Sequence, residues 1–167
     1  MEILIEGKIV KGRGKGVNVV GKINEKLESK KIRFFQGTLN IVSTKPFFFD
    51  VDKADFILFK NFYFYKVKIE NVECYVYRWL KCPGHVFEVL SECYLKEELK
   101  LKDNQTVSIT ICKSFREKFK ISRYLFWWIF WEKRTHLYYK FDLYEKFVGR
   151  VIDLKYKYIK TIIVRLF

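Results

Sequence analysis

The chain has 167 residues, half of them apolar, with 8 glycines and 2 prolines; that composition supports one cored domain with at most an appendage and excludes global disorder. Lysine and arginine number 33 against 19 acidic residues, and the net charge of +14 favours anionic partners: nucleotides, nucleic acid or acidic lipid headgroups. The longest uncharged apolar run, Tyr124 to Trp131, is too short to span a bilayer, and Met1–Gly7 carries acids where a signal peptide carries bases, so a cytoplasmic protein with no transmembrane segment is expected.

Most of the hydrophobic periodicity is two, the signature of strands. Ile3, Ile5 and Ile9 alternate with Glu6 and Lys8 on a first strand, which ends at Gly12-Arg13-Gly14-Lys15-Gly16. Residues 18–33 carry charges with sparse apolar positions and predict a short surface helix around Asn24–Ser29. Leu39 to Val42 form a brief strand, and Pro46 to Asp50 read as a turn into another. Tyr63, Tyr65, Val67 and Ile69, then a Glu70-Asn71 turn, then Val72, Cys74 and Val76 predict a hairpin. Val86 to Leu90 is a further strand, and Tyr94 to Leu99 one or two helical turns. A tight turn at Lys102-Asp103-Asn104 leads into a strand with Val107, Ile109 and Ile111 on one face. Many short strands with short connections imply a closed or sandwich-like β architecture.

Composition shifts near residues 112–116. Residues 114–167 hold 16 of the 32 aromatic residues and a net charge of +8. We read them as a C-terminal extension to a domain of residues 1–113, with a helix around Phe115–Trp131 and a strand at Ile152, Leu154, Tyr156 and Tyr158. The run Phe126 to Trp131, flanked by Arg123, Lys133 and Arg134, suits three roles. It could meet a membrane interface, stack on single-stranded nucleic acid, or pack against the domain or a second copy of the chain. Packing is the favoured role, because so large an apolar patch should not stay exposed, and it predicts burial of Trp127, Trp128 and Trp131. Nucleic acid as a partner is not favoured, and a homo-oligomer is left open.

Cys74, Cys82, Cys93 and Cys112 form no CxxC pair, and His85 and His136 lie at no recurring ligand spacing, so free thiols rather than a zinc site are expected. His85 is expected at a surface or a strand end.

Two short motifs point to chemistry. Alternating glycines at 12, 14 and 16 allow positive φ and close approach to a ligand, and successive amides there can form an anion-binding concavity beside Arg13 and Lys15. The same glycines could simply close a hairpin. In Gly37-Thr38-Leu39-Asn40, Thr38 and Asn40 offer two neutral oxygens on one side of an extended chain, a donor type Mg²⁺ accepts when phosphates complete its shell. They could equally cap a turn.

The two motifs, with Gly84-His85, Glu88-Val89-Leu90 and Leu95 through Asp103, occur in the order found in the archaeal-type CTP-dependent riboflavin kinases, which the first 113 residues resemble. The resemblance implies a mainly β fold, a small six-stranded cradle-loop barrel with short helices. It implies transfer of the CTP γ-phosphoryl group to the riboflavin 5′-hydroxyl, giving FMN and CDP. Carried over by position, Gly12, Arg13, Gly14, Lys15, Gly16 and Val17 would wrap the nucleotide phosphates, and Cys93, Tyr94, Leu95 and Lys96 would line the nucleotide pocket. Thr38 and Asn40 would ligate Mg²⁺, and Glu88 would hydrogen-bond the flavin. No catalytic acid or base is identified. Lys96 stands where the family usually has arginine, and Leu80 where it has a hydroxyl residue. The alternative is a non-catalytic relative that binds RNA, a nucleotide or a protein through its basic, aromatic surface.

Overall fold

Seven antiparallel strands form the framework among the described residues of the computed structural model, which are 1–28, 32–79, 82–140 and 150. Leu80 and the expected strand at 152–158 lie outside the described residues. Strand β1 (Glu2–Val10) is followed by helix α1 (Gly16–Leu27) and β2 (Leu39–Ser43). Next come β3 (Phe56–Leu58), the hairpin β4 (Phe62–Ile69) and β5 (Val72–Trp79), β6 (Val86–Leu90), the short helix α2 (Leu95–Glu98) and β7 (Thr106–Cys112). Helix α3 (Ile121–Phe130) completes a compact unit of residues Met1–Thr135. Residues His136–Phe167 form a second unit, in which α4 (Leu137–Lys140) is described.

The sheet order is β3-β4-β5-β6-β2-β1-β7, and β7 also pairs with β4, so six strands close on themselves and β3 is an extra edge strand. The closing ladder matches Val67 with Ile111 and Ile69 with Ile109. Alternation along each strand sends one set of side chains inward. Ile9, Ile41, Tyr65, Val67, Val76, Phe87, Ile109 and Ile111 are among the buried residues that fill the barrel. The expected mainly β, six-stranded closed barrel is therefore the architecture, and closure removes all but one of the edges an open sheet would leave.

The expected surface helix at Asn24–Ser29 needs correction. α1 begins at Gly16, eight residues earlier, and is a surface helix with one buried face: Val20, Ile23 and Leu27, spaced three and four apart, are fully buried, while Val17, Asn18, Lys22, Glu25 and Lys26 are exposed. They pack with Phe34, Phe64, Tyr77 and Leu90 in a second core on the outside of the barrel. Removing each such side chain from water contributes roughly 1.5–3 kcal/mol, which outweighs the poor helix propensity of Gly16 and Gly21. Asn24 fixes the chain's return, its side chain exchanging two hydrogen bonds of 2.8 Å with the backbone N–H and carbonyl of Phe34.

Two further expectations change. Pro46 to Asp50 lead into a 3₁₀ turn at Val51–Lys53 rather than directly into a strand, and Phe49 makes only an isolated bridge with Arg116. The helix expected from Phe115 starts six residues later. Glu117 N–H donates to the Phe48 carbonyl and Asp50 N–H to that of Phe115, so this stretch is held against the 47–50 segment before α3 can begin.

Helix α3 then lies on the barrel through one face. Trp127 and Trp131, one turn apart, are buried, whereas Trp128 is 58 % exposed, contrary to the burial expected for all three. Trp127 Nε1–H donates to His85 Nδ1 at 2.9 Å, and Trp131 lies 4.8 Å from the same ring. His85 is at a strand end, as expected, but it is fully buried rather than superficial.

Candidate functional site

The glycine turn and the Gly-Thr-Leu-Asn segment meet on the outer face of the barrel. β2 runs between β1 and β6, with Val10 opposite Asn40 and Asn40 opposite Glu88. Leu39 and Ile41 point into the core, so the intervening Asn40 points outward; Phe87 and Val89 place Glu88 on the same outer face. Tyr77 is opposite Glu88 on β5. Val10, Asn40, Glu88 and Tyr77 thus form a row across four adjacent strands.

Sequence-distant backbone makes room for this row. A Cβ on Gly12 would stand 2.3 Å from Asn40 Nδ2, and one on Gly16 would stand 2.8 Å from Thr38 Oγ1. Gly14 differs: its φ of +75° is the left-handed conformation, and the space around its Cβ position is open. The turn is therefore glycine-rich for two reasons, one conformational position and two of close approach. Gly16 and Val17 prove to be the first residues of α1, and Lys15 occupies its N-cap with no side-chain cap and no acid in the first turn. Uncapped first-turn amides and the positive end of the helix dipole favour an anion.

Thr38 Oγ1–H donates to Asn40 Oδ1 at 3.3 Å. Adjacent ligands of an octahedral Mg²⁺ with bonds of 2.0–2.1 Å stand about 3 Å apart, so this pair fits two cis positions with a small closure. Neither oxygen carries charge, which leaves an anionic ligand to supply it. Among the described residues no group of three His, Cys, Asp or Glu side chains could hold a metal ion.

Glu88 is held by Tyr77, whose hydroxyl donates to the carboxylate. Burial, reinforced by the Glu88 charge and this hydrogen bond, pushes the Tyr77 phenol far above its ordinary range and keeps it a donor. The strand alternation predicted for the hairpin ends at Val76, so Tyr77 is not reached; its meeting with Glu88 depends on β5 pairing with β6, which the hairpin turn does not set.

A cavity of about 470 Å³ opens beside the row, lined by Phe35 to Leu39 on one side and Cys93 to Lys96 on the other, with Val89 and Ser91 between. Cys93, Tyr94, Leu95 and Lys96 therefore surround one space, and Thr38 belongs to both the cavity and the glycine contact. Gly12 to Val17, Asn40 and Glu88 do not line it. Phe35 and Tyr94 stack at 4.8 Å and are both partly exposed; neither this pairing nor Ser91 was evident in the sequence. Lys96 Nζ lies 2.7 Å from Asp103 Oδ1, an exposed pair of small energetic weight.

No helix among the described residues is long and apolar enough to cross a membrane. A scan against protein-family models finds no match to the chain, and no curated protein is significantly similar to it.

Proposed function

We propose that the chain is a CTP-dependent riboflavin kinase built on a cradle-loop barrel. The observation that carries the reading is the convergence of Gly12 on Asn40 and of Gly16 on Thr38, with Glu88 next in the row. On this reading the uncapped start of α1, with Arg13 and Lys15, receives the nucleotide phosphates, and the cavity at Cys93–Lys96 receives the rest of the nucleotide. Thr38 and Asn40 would hold Mg²⁺, which would supply neutralisation of the phosphate charge. Glu88, oriented by Tyr77, accepts hydrogen bonds from the flavin.

In the reaction, the riboflavin 5′-oxygen forms a bond to the γ-phosphorus, the bond from that phosphorus to the β-bridging oxygen breaks so that CDP leaves, and the hydroxyl proton passes to solvent. Phosphoryl transfer depends mainly on positioning and charge neutralisation, which a neutral oxygen pair beside a helix terminus can assist without a dedicated acid–base set.

The second reading, a non-catalytic relative, draws on Lys96. Its ammonium is engaged by Asp103, and a lysine lacks the planar fork with which arginine grips a phosphate. Incubating the purified chain with riboflavin, Mg²⁺ and either CTP or ATP, and following FMN by chromatography, separates the readings. FMN formed with CTP supports the kinase. Ligand binding without FMN favours the non-catalytic relative, and neither binding nor FMN removes both.

A further inference from the structure

Five large apolar side chains beside or on α3 face solvent: Phe119, Ile121, Leu125, Trp128 and Ile129, between 51 and 69 % exposed. Ile121, Leu125, Trp128 and Ile129 recur at helical spacing, so they share one side of α3, the side turned away from the His85–Trp127 contact. Their surroundings are basic. Lys118 and Lys120 precede the stripe and Lys133 and Arg134 follow it, all exposed; Glu117 is paired with Lys120 and Arg123, and the exposed Glu132 offsets one of the two cations at the far end, so both ends stay net positive.

We infer that this face of α3 is a peripheral docking surface for an anionic lipid bilayer, with the aliphatic stripe and Trp128 entering the headgroup boundary and the flanking cations reaching lipid phosphates. An apolar stripe bounded by cations at both ends is the pattern of a helix lying in the interface plane, and tryptophan is suited to that depth. Each cation near an anionic surface strengthens binding about fivefold.

The composition of the stripe argues against single-stranded RNA, because three of its five members are aliphatic and offer bases no ring to stack on. Charge argues against a second copy. A two-fold pairing of α3 in antiparallel fashion would bring Lys118 and Lys120 of one copy against Glu132, Lys133 and Arg134 of the other, ends that are each net positive, and that excess of like charge opposes association. The inference is independent of the catalytic reading, since no residue of the stripe belongs to the candidate site.

The test is flotation of the full chain with vesicles of phosphatidylcholine alone or with about one-third phosphatidylglycerol. Binding should be confined largely to the anionic vesicles and weakened by added salt. Leu125→Ser/Ile129→Ser should lower partitioning at least about tenfold with an unchanged melting temperature, these side chains being exposed. Lys133→Gln/Arg134→Gln should lower it and reduce its salt dependence. Absence of flotation would overturn the inference. So would equal flotation of the Leu125→Ser/Ile129→Ser chain, a dimer in sedimentation abolished by the same substitutions, or RNA binding that depends on Trp128 without vesicle binding.

Discussion

Gly12 and Asn40, 28 positions apart, are in such close approach that a methyl group on Gly12 would stand 2.3 Å from the Asn40 amide nitrogen. The obstacle is the end of a side chain rather than backbone, so the amide can yield without the barrel deforming. Gly12→Ala should therefore leave the melting temperature nearly unchanged and displace Asn40. A displacement of about 1 Å at a positioning group costs about a hundredfold in rate, and CTP-dependent FMN formation should fall accordingly. Native rates in this variant would show that Asn40 has no part in the reaction.

Asn40→Ala removes one of the two oxygens proposed to hold Mg²⁺. The side chain is buried on the outer face of β2, and its described hydrogen bonds are to Thr38. Activity should fall steeply, and what remains should need far more Mg²⁺ for half-saturation. Circular dichroism should stay native. An unchanged Mg²⁺ dependence with full FMN production would sink the assignment.

Tyr77 and Glu88 offer a test of the proposed flavin site. Tyr77→Phe keeps the ring packed against Phe62 and Phe64 while removing the hydroxyl that donates to the carboxylate. A hydrogen bond to a charged group contributes about 1.5–3 kcal/mol, so stability should fall by up to that amount. Riboflavin affinity should fall in Glu88→Gln and, less, in Tyr77→Phe, with nucleotide affinity preserved in both. Equal loss of both ligands, read by calorimetry, would make Glu88 a structural residue.

The barrel was legible because its strands alternate. In Val107, Ile109 and Ile111 every second side chain is apolar and faces the core, so β7 could be placed from the residues alone. Helix α1 was obscured by Gly16, Gly21 and β-branched valines, which read as non-helical locally; only the core formed with Phe34, Phe64 and Tyr77 reveals why Val20, Ile23 and Leu27 are spaced as they are. Trp127 and Trp128 could not be separated by composition. One residue of helical rotation sends one to His85 and the other to solvent. The site's parts were recognisable as short motifs, but the contact of Gly12 with Asn40 depends on β1 pairing with β2, and the stacking of Phe35 on Tyr94 depends on two loops meeting.

His85 makes acid stability a readout of how α3 is seated. Burial, with the nearby Arg78 charge, lowers the imidazole pKa to about 3 from 6.5, while a backbone hydrogen bond at Thr135 acts the other way. Trp127 donates to Nδ1, which must therefore be unprotonated, and Trp131 covers the ring. In the unfolded chain the group takes up a proton below about 6.5, whereas in the folded chain it does so only near 3. The folded state therefore loses stability as pH falls through this window, by at most about 1.4 kcal/mol per pH unit from this group. His85→Gln keeps an acceptor for Trp127 and cannot titrate. Urea unfolding at several pH values should show a steeper acid loss for the native chain than for the variant, with the two slopes converging above pH 7, where both forms of His85 are neutral. Parallel slopes across the window would mean that His85 is not held neutral under the two tryptophans.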